Sequence, residues 1–491
     1  MGLFPIGPSL ECCPHLHSTS IECTIGSSMY SGKQGAHSCS MVHGSPTWTF
    51  SAPATRLMST TSSVPTSLIS PKGPSYSKIF DVLGGGIFNS DSESWRIQRK
   101  MAHSLISSKR FGAFVARTSQ EKVDKGLVHV LKHIIKHGQG IIDLQDVFQR
   151  FSFDSTCILV FGVDPGSLAV DFPTVPFAKA MDDAMEAVAF RHAMPESWWM
   201  LLKWLNIGWE KKLAEGWKII DQFINQHIST RREALHKSKT QGVESDCEGE
   251  DLLTAYINYQ PGDELAILNS AKFLRDTTVN LMLAGRDTTG AALTWFFWVV
   301  SMNPEVETKI LQELKATSPK LREGWHGKLK VFDAEELSQL VFLHAALCES
   351  LRLFPPVPFE HKSVFQPQVL PTGETVLPET KILIPLYAMG RMESIWGKDC
   401  LEFKPERWIS ERGKLKFEPS YKFMAFNSGP RNCLGKEVAF TQMKTVAAAL
   451  LLNFHIQVLE GHPVSPKVSI ILHMKNGLMV RVRERYPDAM K

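Results

Sequence analysis

The chain has 491 residues, of which 43% are hydrophobic and 21% charged, so it is long enough to bury a sizeable core. Its formal net charge of +4 is too mild for a nucleic-acid-binding protein, and the sequence contains no zinc-finger or basic-helix pattern. Nine cysteines without paired spacing indicate a reducing compartment rather than a disulfide framework.

The first 71 residues differ in composition from the rest of the chain. They are rich in Ser and Thr, and their only charged side chains are Glu11, Glu22, Lys33 and Arg56. This composition predicts a low-complexity N-terminal segment with little regular structure. No window reaches the roughly 18 consecutive apolar residues of a membrane span, so we expect no membrane anchor in residues 1–71.

Most of the remaining chain has the periodicity of helices. Apolar residues three to four apart predict helices over Val123 to Ile135, Ala180 to Phe190, Leu213 to Ile228 and Leu434 to Leu452. Residues 236–251 predict an exposed linker. Strands are predicted at Lys381 to Ile384 and as a terminal hairpin, Val468 to Met474 with Leu478 to Val482. The pattern predicts a mainly α fold with small β-sheets.

An aromatic stretch, W-W-M-L-L-K-W over residues 198–204, has two interpretations. Tryptophans beside Lys203, Lys211 and Lys212 suit a surface that dips into a membrane interface. Packing of an amphipathic helix into the core explains the same residues and is the more ordinary expectation.

A long apolar helix carries A-G-R-D-T-T at residues 284–289. Gly285 and the hydroxyl of Thr288 can loosen the helical hydrogen-bond ladder and open a groove there. Taken alone, an ordinary buried helix with one solvated Arg286–Asp287 pair explains the same letters.

The most specific motif is F-x-x-G-x-R-x-C-x-G, from Phe426 to Gly435. Gly429 and Gly435 permit tight backbone turns beside Cys433, whose thiol precedes a predicted helix. The positive end of that helix favours a thiolate, the form of cysteine that binds metal ions. The motif therefore predicts a cysteine ligand in a turn.

These motifs, with W-x-x-x-R from Trp95 to Arg99, E-x-x-R from Glu349 to Arg352 and P-E-R-W from Pro405 to Trp408, resemble the cytochrome P450 family. The resemblance covers about Lys72 to Arg485 and implies one haem domain over residues 72–491. Within the family, P-F-E-H-K at 358–362, A-M-G-R-M at 388–392 and Y-K-F-M-A-F at 421–426 are similar to plant hydroxylases of long-chain fatty acids and alkanes.

The resemblance implies a thiolate-ligated haem b with Cys433 as its iron ligand. The other implied cofactor contacts are Trp95, Arg99, Arg431, His361, Phe426 and Gly435, with Lys362 an alternative to His361 at a propionate. It also implies that Asp287 and Thr288 deliver protons. Glu349, Arg352 and Arg407 are implied to form a buried structural triad. The implied substrate pocket comprises Ala284, Val357, Phe359, Ser469 and Ile470.

The implied reaction inserts one oxygen atom of O2 into a hydrophobic substrate, with electrons from NADPH through a cytochrome P450 reductase. Lys422, Lys436 and Lys444 are candidates for a basic face that binds this reductase. The resemblance implies a location on the cytosolic face of the endoplasmic reticulum membrane. Because we expect no anchor in residues 1–71, a cytosolic location is the alternative.

Two other functions stay open from the sequence. One is oxidative coupling or hydroxylation of an aromatic or alkaloid metabolite, and the other is a truncated haem protein without turnover. The abrupt return of family-like sequence near residues 71–74 suggests an alternative first exon, a frame shift or an incorrect gene model.

Overall fold

The computed structural model describes residues 48–50, 71–241, 251–259, 270–318, 330–369, 373–378, 380–467 and 469–485. The α-helices are α1 (Gly73–Ile79), α2 (Ser92–Ile106), α3 (Lys109–Lys122), α4 (His129–His137), α5 (Leu144–Phe161), α6 (Pro176–Ala193), α7 (Glu196–Leu205), α8 (Gly208–Gln241), α9 (Leu252–Asn258), α10 (Ala271–Ser301), α11 (Pro304–Thr317), α12 (Ala334–Gln339), α13 (Val341–Leu353), α14 (Leu386–Met389), α15 (Glu393–Trp396) and α16 (Lys436–Asn453).

The 31-residue helix α10 runs through the middle of the molecule and organises its core. Its first half packs with α5, α6 and α8 in one apolar cluster, and its second half packs with α13 and α16 in another. Ser270 caps its N-terminus by accepting a hydrogen bond from the amide of Phe273. Because α10 belongs to both clusters, its central residues lie where the two halves of the core meet.

The strands form small sheets around this helical body. The strands are β1 (Trp48–Phe50), β2 (Ile141–Asp143), β3 (Glu360–Lys362), β4 (Gln368–Val369), β5 (Thr375–Val376), β6 (Lys381–Ile384), β7 (Phe454–Val458) and β8 (Met479–Glu484). One sheet has the order β1-β6-β3, with β1 parallel and β3 antiparallel to β6. A second has the antiparallel order β2-β8-β7, and β4 pairs with β5. The expected mainly α fold with small sheets is confirmed.

The terminal hairpin prediction is wrong. β8 pairs with β7, which follows α16 directly, and with β2, rather than with residues 469–474. That segment is irregular apart from one isolated bridge between Pro466 and Met474, and Val468 lies outside the described residues. β8 therefore pairs with β7, which ends 21 residues before β8 begins, and not with the apolar segment that directly precedes it in sequence.

Three other local expectations differ in detail. Residues 123–128 form one π-helical segment before α4, so the helix predicted from Val123 is present with a wider first turn. The predicted linker begins later, because α8 extends to Gln241; residues 242–250 are outside the described ranges. Within the N-terminal segment, β1 joins the sheet by pairing with β6. None of the helices in the described ranges is both long and apolar enough to cross a bilayer.

Candidate active site

The loop before α16 presents Cys433 at a surface that solvent reaches. Of the cysteines in the described ranges, Cys157, Cys348 and Cys400 are buried and Cys433 is exposed. The Cys433 amide donates to the carbonyl of Phe426 at 2.8 Å, which closes the loop. Surrounding protein raises the thiol pKa of Cys433, while the Gly435 N–H group and the charges of Arg99 and Lys436 oppose this rise. The amide and cations thus favour the thiolate form.

The loop needs glycine at Gly429 for its backbone conformation. Gly429 has φ +72°, in the left-handed region that L side chains avoid. At Gly435 a Cβ atom would make only an ordinary van der Waals contact, at 3.9 Å, with the sulfur of Cys433, so the role of this glycine stays a prediction.

The cations expected to bind propionates meet beside the loop. Arg99 donates to the Asn432 carbonyl at 2.6 Å, and Arg431 lies 4.7 Å from the ring centroid of Trp95. Arg431 is also ion-paired with Asp91, yet its buried Nε has no hydrogen-bond partner among the described residues. Burial lowers the pKa of both arginines, so a further anion beside them would stabilise their charged forms. This donor set fits the carboxylates of a haem.

Helix α10 exposes a short strip in its otherwise buried middle. Ala284 is exposed and Thr288, one turn later, is half-buried, whereas Met282 and Thr289 are buried. The Thr288 hydroxyl donates to the Ala284 carbonyl at 2.7 Å. Helix α10 packs against α16, the helix that follows the Cys433 loop. This arrangement fits a cofactor bound between the loop and α10.

Helix α10 runs without a break from Ala271 to Ser301, and the predicted loosening of its hydrogen-bond ladder near Gly285 stays a prediction. Gly285 also serves close packing. A Cβ atom there would lie 2.7 Å from the hydroxyl oxygen of Thr156 on α5. Glycine therefore lets α5 approach α10 beside the exposed strip.

Asp287 is buried behind this strip in a charge network. Nη1 of Arg286 lies 2.9 Å from a carboxylate oxygen of Asp287 and 2.7 Å from one of Asp182 on α6. Arg286 is 4% exposed and Asp287 is 1% exposed, so the solvated pair considered from the sequence is instead buried. Burial raises the pKa of Asp287 to about 6, against the opposing charge of Arg286. A carboxyl group poised near neutral pH can both accept and release a proton.

Glu349, Arg352 and Arg407 come together in the core behind the loop. Arg352 donates two hydrogen bonds to Glu349 at 2.8 and 2.7 Å, and Arg407 donates a third at 3.3 Å. The indole N–H of Trp408 and the amide of Lys404 add bonds at 2.8 and 3.1 Å. This fully bonded carboxylate joins α13 to the P-E-R-W turn.

His361 and Lys362 are both placed on β3. The imidazole of His361 is buried edge-on to Tyr76 at 5.5 Å, and burial lowers its pKa to about 3. Lys362 is ion-paired with Glu360 at 3.2 Å, and Glu360 also pairs with Lys72. His361 is therefore neutral and Lys362 is already paired, and the choice between them as a propionate ligand stays a prediction.

The residues predicted to bind substrate are partly apolar and partly covered. Ile470 packs in the cluster of α5, α6, α8 and the first half of α10. Val357, Phe359 and Ser469 are half-buried, and the Phe359 ring lies 5.9 Å from that of His192. His192 was not anticipated from the sequence, since nothing in its neighbourhood marks contact with a residue 167 positions later.

The predicted basic face is smaller than expected. Lys444 is buried and donates to the carbonyl of Leu337 at 3.0 Å, so including it in a docking face was wrong. Lys422 is ion-paired with Glu418 at 3.0 Å. Lys436 is exposed, and α2 adds exposed Lys100 next to the loop-binding Arg99.

The tryptophan-rich segment forms α7, and core packing explains only part of it. Trp199 is buried beneath the guanidinium of Arg191 at 4.6 Å. Trp198 and Trp204 are 51% and 80% exposed, with Met200 and Leu201 beside them. The expectation of core packing is wrong for these exposed residues.

Asp91 and Asn432 were also missed as site residues. Asp91 immediately precedes α2, and its carboxylate binds Arg431 and accepts hydrogen bonds from the backbone amides of Lys72 and Gly73. Asn432 lies inside the loop motif, at a position where the motif allows any residue. Only the three-dimensional contacts reveal both roles.

Comparison with known proteins identifies the family. The family model for Cytochrome P450 matches residues 69–480. The chain is 45% identical to "Alkane hydroxylase MAH1" of Arabidopsis thaliana, over 84% of this chain and 80% of that protein. It is 43% identical to "Noroxomaritidine synthase" of Narcissus aff. pseudonarcissus MK-2014, over 84% and 78%. A crystal structure of the cytochrome P450DA heme domain superposes with TM-score 0.72 at 20% identity, covering 89% and 88% of the two chains.

The fold, the cysteine loop and the comparisons agree on the class of enzyme and cofactor. The expected fold is confirmed, and the thiolate-ligated haem b follows from the family. The chain is thus a haem monooxygenase that belongs to the cytochrome P450 family.

Proposed function

We propose that the enzyme hydroxylates a long-chain fatty acid or alkane, with Cys433 as the thiolate that binds the haem iron. The observation that carries the proposal is the exposed Cys433 thiol in the loop that leads into α16, a helix that packs against α10. The 45% identity with an alkane hydroxylase supports the substrate class. Val357, Phe359 and Ile470 would give an acyl or alkyl chain an apolar wall.

The cofactor would be held by Cys433 at the iron and by Arg99, Arg431 and Trp95 at the propionates. When bound, the haem supplies the activation of O2 that C–H hydroxylation requires. The protein's own contribution would be the Gly435 N–H group and the cations that favour the thiolate, the arginines that neutralise the propionates, and the delivery of protons. The electrons come from NADPH through a cytochrome P450 reductase, which the exposed Lys436 and Lys100 would help to bind.

Proton delivery is assigned to Asp287 and Thr288. The Thr288 hydroxyl lies on the exposed strip, and its oxygen can still accept a hydrogen bond while it donates to Ala284. Asp287 is linked through Arg286 to Asp182, whose side chain is 59% exposed. Because the guanidinium stays protonated, Arg286 fixes the position of Asp287 and does not relay a proton, so Asp287 is the titrating group of this network.

We expect Asp287→Asn to lower turnover by about 10²-fold or more, because the amide cannot release a proton. In the unsubstituted enzyme the donating form is the protonated carboxyl, whose pKa is raised to about 6. Proton-limited turnover should therefore fall as pH rises through about 6, and this limb should vanish in Asp287→Asn. Turnover at saturating substrate between pH 5 and 8 measures both effects.

Asp182→Asn is the matched control, because it removes the exposed carboxylate from the same arginine. The negative charge of Asp182 raises the pKa of Asp287, so its loss should move the limb to lower pH without abolishing it. If turnover of Asp287→Asn still falls as pH rises through about 6, as in the unsubstituted enzyme, the assignment of Asp287 as proton donor is contradicted.

A second candidate is oxidative coupling or hydroxylation of an aromatic substrate, favoured by the 43% identity with noroxomaritidine synthase. The two candidates are separated by incubating the enzyme with reductase, NADPH and either alkanes and fatty acids or phenolic alkaloids. Hydroxylated chains support the first proposal, and coupled or hydroxylated aromatic products support the second. If neither class of substrate gives an NADPH-dependent product, the result indicates a haem protein without turnover.

We propose that α7 contacts a membrane surface and that the enzyme is located at the endoplasmic reticulum membrane. Trp198, Trp204 and Met200 are exposed together, with Lys211 and Lys212 nearby at the start of α8. Tryptophan and lysine side by side suit the interface between lipid and water.

We expect the double substitution Trp198→Ser with Trp204→Ser to weaken binding to phospholipid vesicles by about 10-fold or more, because each indole buries apolar surface in the lipid. Cosedimentation of the purified enzyme with vesicles measures the effect. Phe417→Ser is the matched control, since Phe417 is 81% exposed but lies far along the chain from α7. Equal binding by the double variant and the control contradicts the proposal.

A further inference from the structure

The end of α6 places one histidine against the wall of the proposed substrate pocket. The imidazole of His192 is 5.9 Å from the ring of Phe359, 5.3 Å from Phe80 and 6.0 Å from His361. Phe359 is one of the residues predicted to bind substrate. His192 is therefore a polar group among the aromatic side chains of an apolar site.

The hydrogen bonds of His192 define what it can bind. Its Nδ1 lies 2.9 Å from the backbone carbonyl of Val188, and a carbonyl can only accept, so Nδ1 carries the hydrogen. Burial lowers the pKa of His192 to about 4, and the charges of Lys381 and Lys72 act in the same direction. The ring is thus neutral at physiological pH, and Nε2 carries a lone pair.

Nε2 is buried and has no hydrogen-bond partner among the described residues. A buried acceptor without a donor is costly, so a ligand that supplies a donor gains affinity there. Phe359 is half-buried with its ring 5.9 Å from that of His192, so a ligand that reaches Nε2 would contact Phe359 as well.

The helix end that carries His192 is firmly fixed. Its neighbour Arg191 donates to both carboxylate oxygens of Glu210 at 2.7 and 2.6 Å and to Asp81 at 2.7 Å. It also lies over the ring of Trp199. Because these bonds tie α6 to α8 and to residues 79–81, His192 keeps its position at the pocket wall.

We propose that His192 Nε2 accepts a hydrogen bond from a hydroxyl group of the substrate, so that the enzyme prefers apolar substrates carrying a hydroxyl donor, an alcohol or a phenol. The inference rests on the proposed function, because it places Phe359 in the substrate pocket. A carboxylate has no hydrogen to donate at neutral pH, and an alkane leaves Nε2 without a partner. The site therefore ranks an alcohol or phenol above the matching acid or alkane.

The test compares dissociation constants from the change in haem absorption as each ligand is added to the reductase-free holoenzyme. The ligands are dodecane, dodecan-1-ol, dodecanoate and 4-octylphenol. The proposal expects at least one of the two hydroxyl ligands to bind about 2- to 12-fold more tightly than dodecane, the range of one hydrogen bond. The two arms distinguish a chain alcohol from a phenol.

His192→Leu should remove this preference while dodecane still binds, and His192→Gln, which restores an acceptor oxygen, should recover part of it. Haem content of each variant reports folding independently of ligand affinity. If the ligands bind without a hydroxyl preference, or the preference survives in His192→Leu, the inference is overturned and the proposed function stands. If none of the four ligands binds, the proposed function fails as well.

Discussion

Cys433→Ser is expected to abolish monooxygenase activity and the spectrum of a thiolate-ligated haem. A serine hydroxyl is not ionised at neutral pH, so it cannot supply the electron density that favours O–O cleavage. The surrounding contacts would survive, because the backbone amide of Cys433 bonds to Phe426 and the arginines bind elsewhere in the loop. Residual haem content with no activity is therefore the expected result, measured by haem extraction and product formation.

The control for this substitution is Cys348→Ala. Cys348 is buried on α13, where burial raises its thiol pKa to about 12, so it remains protonated. Its loss should cost some packing and leave the spectrum of the haem unchanged. A thiolate spectrum that persists in Cys433→Ser and disappears in Cys348→Ala would reverse the assignment.

Glu349→Gln is expected to destabilise the fold by about 3–5 kcal/mol, because it leaves buried Arg352 without its anionic partner. Glu349 is fully buried and accepts hydrogen bonds from Arg352, Arg407 and Trp408. Since these bonds join α13 to the turn that precedes the cysteine loop, haem incorporation should fall together with stability. Urea unfolding and the yield of haem-containing protein measure the two effects.

Glu406→Gln is a matched control from the same P-E-R-W turn. Glu406 is 43% exposed on its side chain and pairs with Lys309 at the surface. An exposed pair contributes about 0–1 kcal/mol, so this change should leave the free energy of unfolding nearly unchanged. Equal losses in the two variants would show that the turn, and not the buried triad, sets the stability.

The sequence was sufficient to place the chemistry because each motif is local. Cys433 and its glycines lie within ten residues, and Glu349 and Arg352 share one helical face. The comparisons confirm the fold and the haem that these motifs predicted. The individual roles of the site residues stay predictions, and each can be tested by substituting the residue.

What the sequence could not supply depends on pairing over long distances. β8 could have been assigned to the strand Phe454–Val458, whose apolar and polar residues alternate, but the nearer segment after Pro466 competed for it. The burial of Lys444 and the exposure of Trp204 are set by which face of a helix meets the core. His192 could be recognised as a pocket residue only from the structure, in which α6 places it next to Phe359.

The central claim, a haem bound through the Cys433 thiolate, is tested most directly by the carbon monoxide difference spectrum of the reduced enzyme. The account predicts the red-shifted Soret band that thiolate ligation gives, in proportion to the haem content, from the unsubstituted chain and from Cys348→Ala. A band typical of a neutral nitrogen or oxygen ligand in the unsubstituted chain, with haem fully incorporated, would contradict it.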